Sequence, residues 1–283
     1  SNSVLTPYAG GDVILDATTS GKVSITIDEK RLAIVKTEAE LKNALKDAGI
    51  GYIIIGADID LTDYVTISRQ VVLDGYNHMI SGDSSSAGIR NNQILFLLKS
   101  NDITIKNLTI KSPAYYDKAV GINVFGGGYT GIVIDNVTCE NTRYGVYVNG
   151  QNSEVTITNS VFRNLGNGGI AVEGAAVITG NTFSNIANNY VEVGTYSSFD
   201  SNEFINLNTY DIPAVVYKNS IRPAVAKIDE AYYYPLSKAV QAAGNGDVIE
   251  LLTNSSENIT IPAGMNITIQ VDEGKQITGT VTN

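Results

Sequence analysis

The chain has no tryptophan, two methionines, six prolines, one histidine (His78) and one cysteine (Cys139) in 283 residues. A lone cysteine excludes an internal disulfide and a cysteine-based zinc cluster. Positive charge is also scarce. There are 19 Lys and Arg against 29 Asp and Glu, a formal net charge of −10. An acidic body repels phosphate, which argues against a nucleic-acid partner and against an acidic membrane surface. No stretch of 18 apolar residues occurs, so no membrane insertion is expected. No signal peptide precedes the chain, and Ser1-Asn2 reads as a cloning remnant, so that lack carries no weight.

What is abundant is equally informative. Hydrophobic residues make up 43% of the chain, with 27 Gly, 16 Tyr and many Asn, Thr, Ile and Val. β-Branched residues suit pleated surfaces, while Gly and Asn suit turns with positive φ. An all-β chain of many short strands around a sizeable core follows.

The centre aligns to itself. ITIKNLTIKS (Ile103 to Ser112), IVIDNVTCEN (Ile132 to Asn141), VTITNSVFRN (Val155 to Asn164), AVITGNTFSN (Ala176 to Asn185) and SSFDSNEFIN (Ser197 to Asn206) share one pattern. Their fifth residues, Asn107, Asn136, Asn159, Gly180 and Ser201, are 29, 23, 21 and 21 residues apart. An earlier copy, Val71 to Gly82, puts Gly75 there. Each unit opens with period-2 alternation, then a residue that tolerates a left-handed bend, then an apolar site: Ile110, Cys139, Phe162, Phe183 and Phe204. Asn141, Asn164, Asn185 and Asn206 follow two residues later. A second strand lies between units: GINV, GVYV, GIAV and YVEV.

Such a unit cannot bury an apolar face alone, but stacked copies can, with parallel strands about 4.8 Å apart. The expected fold is a right-handed parallel β-helix. Phenylalanines 162, 183 and 204 should stack inside, and the asparagines should form ladders. Thr37 and Glu40 form a capping box for a helix with Leu41, Ala44, Leu45 and Ala48 on one face, ended by Gly49. That helix should cap the stack. Pro235 to Leu252 repeats the helix–strand order. The expected divisions are an N-terminal strand segment at 1–36, a β-helix at 37–225 and a C-terminal helix–strand module at 226–283. The chain is expected to be a monomeric piece of a longer multi-module protein.

These residues resemble the pectate-lyase-like right-handed parallel β-helix superfamily over about Thr37 to Leu207, most specifically at LDGYNHMISG (Leu73 to Gly82). The tail, about Ala226 to Gly279, looks like a small helix–strand unit common in large surface proteins of Gram-positive bacteria, often beside S-layer or wall-anchoring domains. The resemblance implies a secreted or cell-surface bacterial setting rich in carbohydrate. It transfers no activity, because the superfamily mixes enzymes with members of no known chemistry.

Lyases of this class use calcium held by clustered carboxylates, with an Arg or Lys as base. Related hydrolases use paired Asp residues, which for inversion stand roughly 6.5–9.5 Å apart. Neither set matches. The outward positions of the second strand are Asn123, Tyr147, Ala171 and Glu192, and the loops before it add Tyr115, Tyr116, Asp117, Arg143 and Tyr144. Arg143 with Asp117 is the one pairing of base and ligand type. Asp135 and Asp200 share an outward column with Lys106, but Thr158 and Thr179 part them. His78 reads as a turn residue and Cys139 as core. GGGYTG (Gly126 to Gly131) lacks the Lys of a phosphate loop.

The tyrosines give the binding clue, since aromatic faces on a solenoid wall suit sugar rings. The candidate ligand-binding residues are Tyr115, Tyr116, Asp117, Asn123, Arg143, Tyr144, Tyr147 and Glu192. No catalytic or metal-ligating residue is assigned, no cofactor is expected, and calcium enters only for a lyase. The leading expectation is a non-catalytic extracellular spacer or adhesin module that touches cell-wall or other extracellular polysaccharide. The alternative is a polysaccharide lyase or glycoside hydrolase acting on an acidic glycan, and a third reading is a purely structural spacer.

Overall fold

A computed structural model describes residues 13–17, 23–27, 31–114, 117–194 and 208–283. It is a parallel β-solenoid of about 10 turns. Two walls run its length. In the first, strands stack in the order Arg31–Val35, Ile50–Ile55, Val71–Asp74, Ile103–Lys111, Ile132–Glu140, Val161–Leu165, Thr182–Ile186 and Thr209–Tyr210. In the second, Val65–Ile67, Ile94–Leu98, Val120–Phe125, Tyr144–Asn149, Gly168–Val172 and Asn189–Val193 lie side by side in parallel.

The period-2 pattern fixes which residues point inward. Ile53, Leu73, Ile105, Ile134, Ile157 and Ile178 pair coil to coil and are all fully buried. Val65, Phe96, Ile122, Val146, Ile170 and Val191 face them from the second wall. Each such side chain contributes about 1.5–3 kcal/mol of burial. The column holding Ile110 continues through Cys139, Phe162 and Phe183. The Phe162 and Phe183 rings stack 5.3 Å apart.

Phe204, expected next in that column, lies outside the described residues together with the rest of Ser197 to Asn206. Tyr210 pairs with Phe183 and stacks on it at 5.6 Å. The last coil is therefore 27 residues long from Asn181 to Asn208, not 21. Strand 209–210 takes the slot that the sequence pattern assigned to the segment before it.

First-wall strands bend where asparagine takes a left-handed conformation, at Asn107, Asn136 and Asn159 with φ of 53°, 52° and 50°, and at Gly180 with φ 67°. A second set, Asn141, Asn164 and Asn185, has φ of 64°, 56° and 49°. Their amides reach back to the preceding coil. Asn136 donates to Asn107 Oδ1 at 2.9 Å, and Asn185 to Asn164 Oδ1 at 2.9 Å. Asn141 donates to the Ser112 carbonyl at 2.9 Å. Each bond offsets part of the cost of a non-glycine left-handed residue.

Two closures end the stack. Helix α1 (Glu38–Lys46) buries Leu41, Ala44 and Leu45 over the first coil. Thr37 accepts from the Glu40 amide, as the capping box predicts, but the Glu40 carboxylate reaches one residue further back and accepts from the Lys36 amide. Gly49 does not end it. Asp47 is the C-cap, Ala48 is exposed, and Arg69 donates to the Ala44 and Leu45 carbonyls instead. At the far end the hairpin Ala214–Tyr217 and Ser220–Pro223 lies antiparallel on Asn189–Val193. Reversed pairing interrupts further parallel growth of that edge. Helix α2 (Ala87–Asn92) sits in the loop before Ile94–Leu98. Helix α3 (Leu236–Ala242) packs in a separate small core with Ile249, Leu251 and Ile259, so it does not cap the main stack. There two short coils pair Val248–Leu251 with Thr268–Gln270, and Ile259–Thr260 with Val281–Thr282.

Candidate functional site

The outward column of the second wall runs Thr66, Leu97, Asn123, Tyr147, Ala171 and Glu192, in the register read from sequence. Two residues further along each strand a second outward column follows from the same alternation: Phe125 pairs with Asn149, and Glu173 and Gly194 follow the last paired residues, Val172 and Val193. Between the two columns lies a cavity of about 340 Å³ bounded by Tyr144, Tyr147, Ala171, Glu173, Glu192 and Gly194. Small Ala171 forms its floor, and Gly194 leaves its end without a side chain.

Tyr144 and Tyr147 stand together, with ring centroids 5.0 Å apart and planes tilted by 45°. The Tyr144 hydroxyl accepts from Asn167 Nδ2 at 2.7 Å, and Asn188 Nδ2 in turn donates to Asn167 Oδ1 at 2.6 Å. Gly168 permits this ring position, because a Cβ there would stand 2.6 Å from the Tyr144 ring. Burial first, then the Glu192 charge, raise the Tyr144 pKa above the usual tyrosine range. Asn189 Nδ2 donates to Glu192 Oε2 at 2.7 Å. The arrangement offers two aromatic faces and two carboxylates, which can stack on rings and accept hydrogen bonds.

Three of the eight residues expected at a site, Tyr144, Tyr147 and Glu192, therefore line one groove. Arg143 is exposed at its rim, its guanidinium carbon 5.7 Å from the centre of the Tyr144 ring. Asn123 shares the Tyr147 column but is buried, and its Oδ1 has no hydrogen-bond partner. Asp117 does not line the groove. Its buried carboxylate accepts from the Ser84 amide and hydroxyl and from the Ala119 amide at 2.7 Å. It makes no ion pair with Arg143, so the sequence-based pairing of base and ligand does not form. Bonds from the Ser84 loop and from its own turn hold Asp117 in place. Tyr115 and Tyr116 lie outside the described residues. Glu173 was missed because only one outward residue per strand was followed, although the alternation continues to it.

The first-wall column pairs Asp74, Lys106, Asp135, Thr158 and Thr179 in order; Asp200 lies outside the described residues. Lys106 Nζ is 3.6 Å from Asp74, and Thr158 and Asn159 both donate to Asp135. These carboxylates are spent on the ladder. His78 occupies an exposed turn, with Nδ1 3.3 Å from Asp58 Oδ1. Cys139 is fully buried, and burial pushes its thiol up to about 12. Among the described residues no three or more His, Cys, Asp or Glu side chains gather as metal ligands. No described helix is long and apolar enough to cross a membrane.

Stacked parallel coils, paired walls and a shallow outward groove define a pectate-lyase-like β-solenoid. A family model described as "Putative pectate lyase-like adhesive domain" matches residues 32–189. The chain belongs to that family of adhesive domains. No curated protein sequence matches it. A solved structure named "L. reuters 100-23 SRRP" aligns over 89% of this chain and 98% of its own, at 13% identity and a TM-score of 0.32. That likeness is too low to bear on how this chain works.

Proposed function

We propose that the chain is a non-catalytic adhesive module, carried outside a bacterial cell, that contacts glycan through the groove beside Tyr144 and Tyr147. The tilted tyrosine pair over the small Ala171 floor carries this reading. An exposed aromatic face beside polar acceptors is what a sugar ring needs, with apolar C–H faces to stack and hydroxyls to bond. Membership of an adhesive-domain family independently supports the adhesive part of this reading and does not bear on the ligand. The rigid stack would hold the groove at a fixed place along a longer surface protein.

The test is a glycan array probed with the whole chain and with Tyr147→Ala. Retained sugars should be lost or weakened about tenfold, a scale set by about 1–1.5 kcal/mol of aromatic contact. Equal signals from both proteins would sink the groove and leave a structural spacer. A calcium-dependent release of unsaturated uronate from polyuronate, abolished in Arg143→Ala, would instead establish a lyase.

A further inference from the structure

The groove carries one sign of charge. Glu173 and Glu192 lie on its wall opposite Tyr144 and Tyr147, and no lysine or arginine lines it. Neither carboxylate has an ion-pair partner among the described residues. This differs from the first-wall carboxylates, where Asp74 faces Lys106 and Glu140 sits between Lys111 and Arg163. Asp74 and Glu140 are paired with cations and Asp135 accepts from Thr158 and Asn159, whereas the groove carboxylates face no cation, Glu192 accepting from the Asn189 side-chain amide. The net charge of −10 adds a background field of the same sign. Arg143, the nearest cation named on this wall, sits against Tyr144 at the rim and does not line the cavity.

From this we infer that the groove takes amine-bearing sugars, oligosaccharides of hexosamine with free amino groups, and turns away polyuronates. The inference rests on the glycan reading above and assigns its ligand class. An ammonium between Glu173 and Glu192 gains from both carboxylates while its ring stacks on Tyr147; a uronate in the same place meets like charge. The tyrosines favour a sugar over a basic peptide, because a flat ring pair adds affinity only for a ligand with a face to lay on it.

Titration calorimetry at low salt with the whole chain compares four probes: glucosamine oligomers, their N-acetylated counterparts, oligogalacturonate and tetralysine. Glucosamine oligomers should bind about tenfold more tightly than the N-acetylated ones, with oligogalacturonate silent. In Glu192→Gln the ratio of free-amine to N-acetylated binding should fall about threefold or more. Tyr147→Ala should weaken both. Tight, Tyr147-dependent binding of oligogalacturonate would overturn the charge assignment and leave the glycan groove standing. Tetralysine binding as tightly as the amino sugar, and surviving Tyr147→Ala, would make a basic peptide the ligand and overturn it too. Silence toward every sugar would remove the glycan reading and this inference with it.

Discussion

In the central coils Asn181 is fully buried; its Nδ2 donates to the Ile157 carbonyl and its Oδ1 accepts from the Ser160 amide, both at 2.9 Å. One coil later Asn208 accepts from the Asn181 amide and donates to Ile178 in the same way. The small C-terminal stack uses the same kind of bond. Asn245, Asn254 and Asn258 accept from the amides of Asn266, Gln276 and Thr280, 21 to 22 residues on. The two regions part company inside. The central stack encloses Phe162, Phe183 and Tyr210 in a continuous column, whereas the C-terminal pair leaves Val281 half exposed and Ile269 and Ile277 partly buried. Asparagine therefore sets where one coil sits on the next, and the interior column sets how firmly. The two jobs are separable, because polar bonds near water are worth little beyond alignment while each buried ring contributes several kilocalories.

The largest expected effect separates them most cleanly. Phe183→Ala removes a ring that touches Phe162, Tyr190 and Tyr210 and should cost about 3–5 kcal/mol. Amide exchange should quicken across 154–193 and stay unchanged across 248–270. Equal quickening in both stretches would mean that the two cores unfold as one.

Next come the asparagines. Asn181→Ala strands the Ser160 N–H and the Ile157 carbonyl in a dry interior and should cost about 2 kcal/mol. Asn258→Ala removes an exposed acceptor that water can replace, so about 0.5 kcal/mol is expected. Urea midpoints of the two variants in the reverse order would show that ladder bonds matter more where the core is thin, contrary to the division of labour drawn here.

Much of the central stack was legible from local pattern. Period-2 alternation placed the interior isoleucines, and the recurring Asn at 107, 136 and 159 placed the bends. What was hidden depends on contacts between coils. Phe162 leans on Gly145 of the preceding coil, where a Cβ would come within 2.3 Å of the ring, and Phe183 leans on Gly169. Nothing in GVYV or GIAV alone announces that approach. Asn181, next to the bend at Gly180, is a buried staple that local pattern does not single out. In the last coil NTY carries too little of the repeat to be recognised, yet Asn208 and Tyr210 stand in register on Asn181 and Phe183. Of the site, the Tyr147 and Glu192 column was readable, as was Tyr144 beside it. The bonds of Asp117 were not legible, because its partners, Ser84 and Ala119, come from a loop one coil away and from its own turn.

The smallest expected effect tests whether charge contributes to stacking at all. Glu140 lies between Lys111 at 3.4 Å and Arg163 at 2.8 Å on neighbouring coils. Burial alone would raise its pKa, but the Arg163 hydrogen bond and the two cations outweigh burial and hold it below the ordinary glutamate value. A carboxyl depressed in the folded state stabilises fully above its unfolded pKa, near 4.5, and loses that contribution as pH falls through the lower folded value. Both cations are exposed over a third to a half of their side chains, so solvent screening cuts the gain to about 0.5 kcal/mol. Glu140→Gln should therefore lower stability slightly at pH 7 in low salt and converge on the parent chain below pH 4 or in molar salt. A difference that persists unchanged at pH 3 and in high salt would assign the role of Glu140 to packing of its stem between coils, and would leave the polar ladders and the inner column to hold the stack without help from charge.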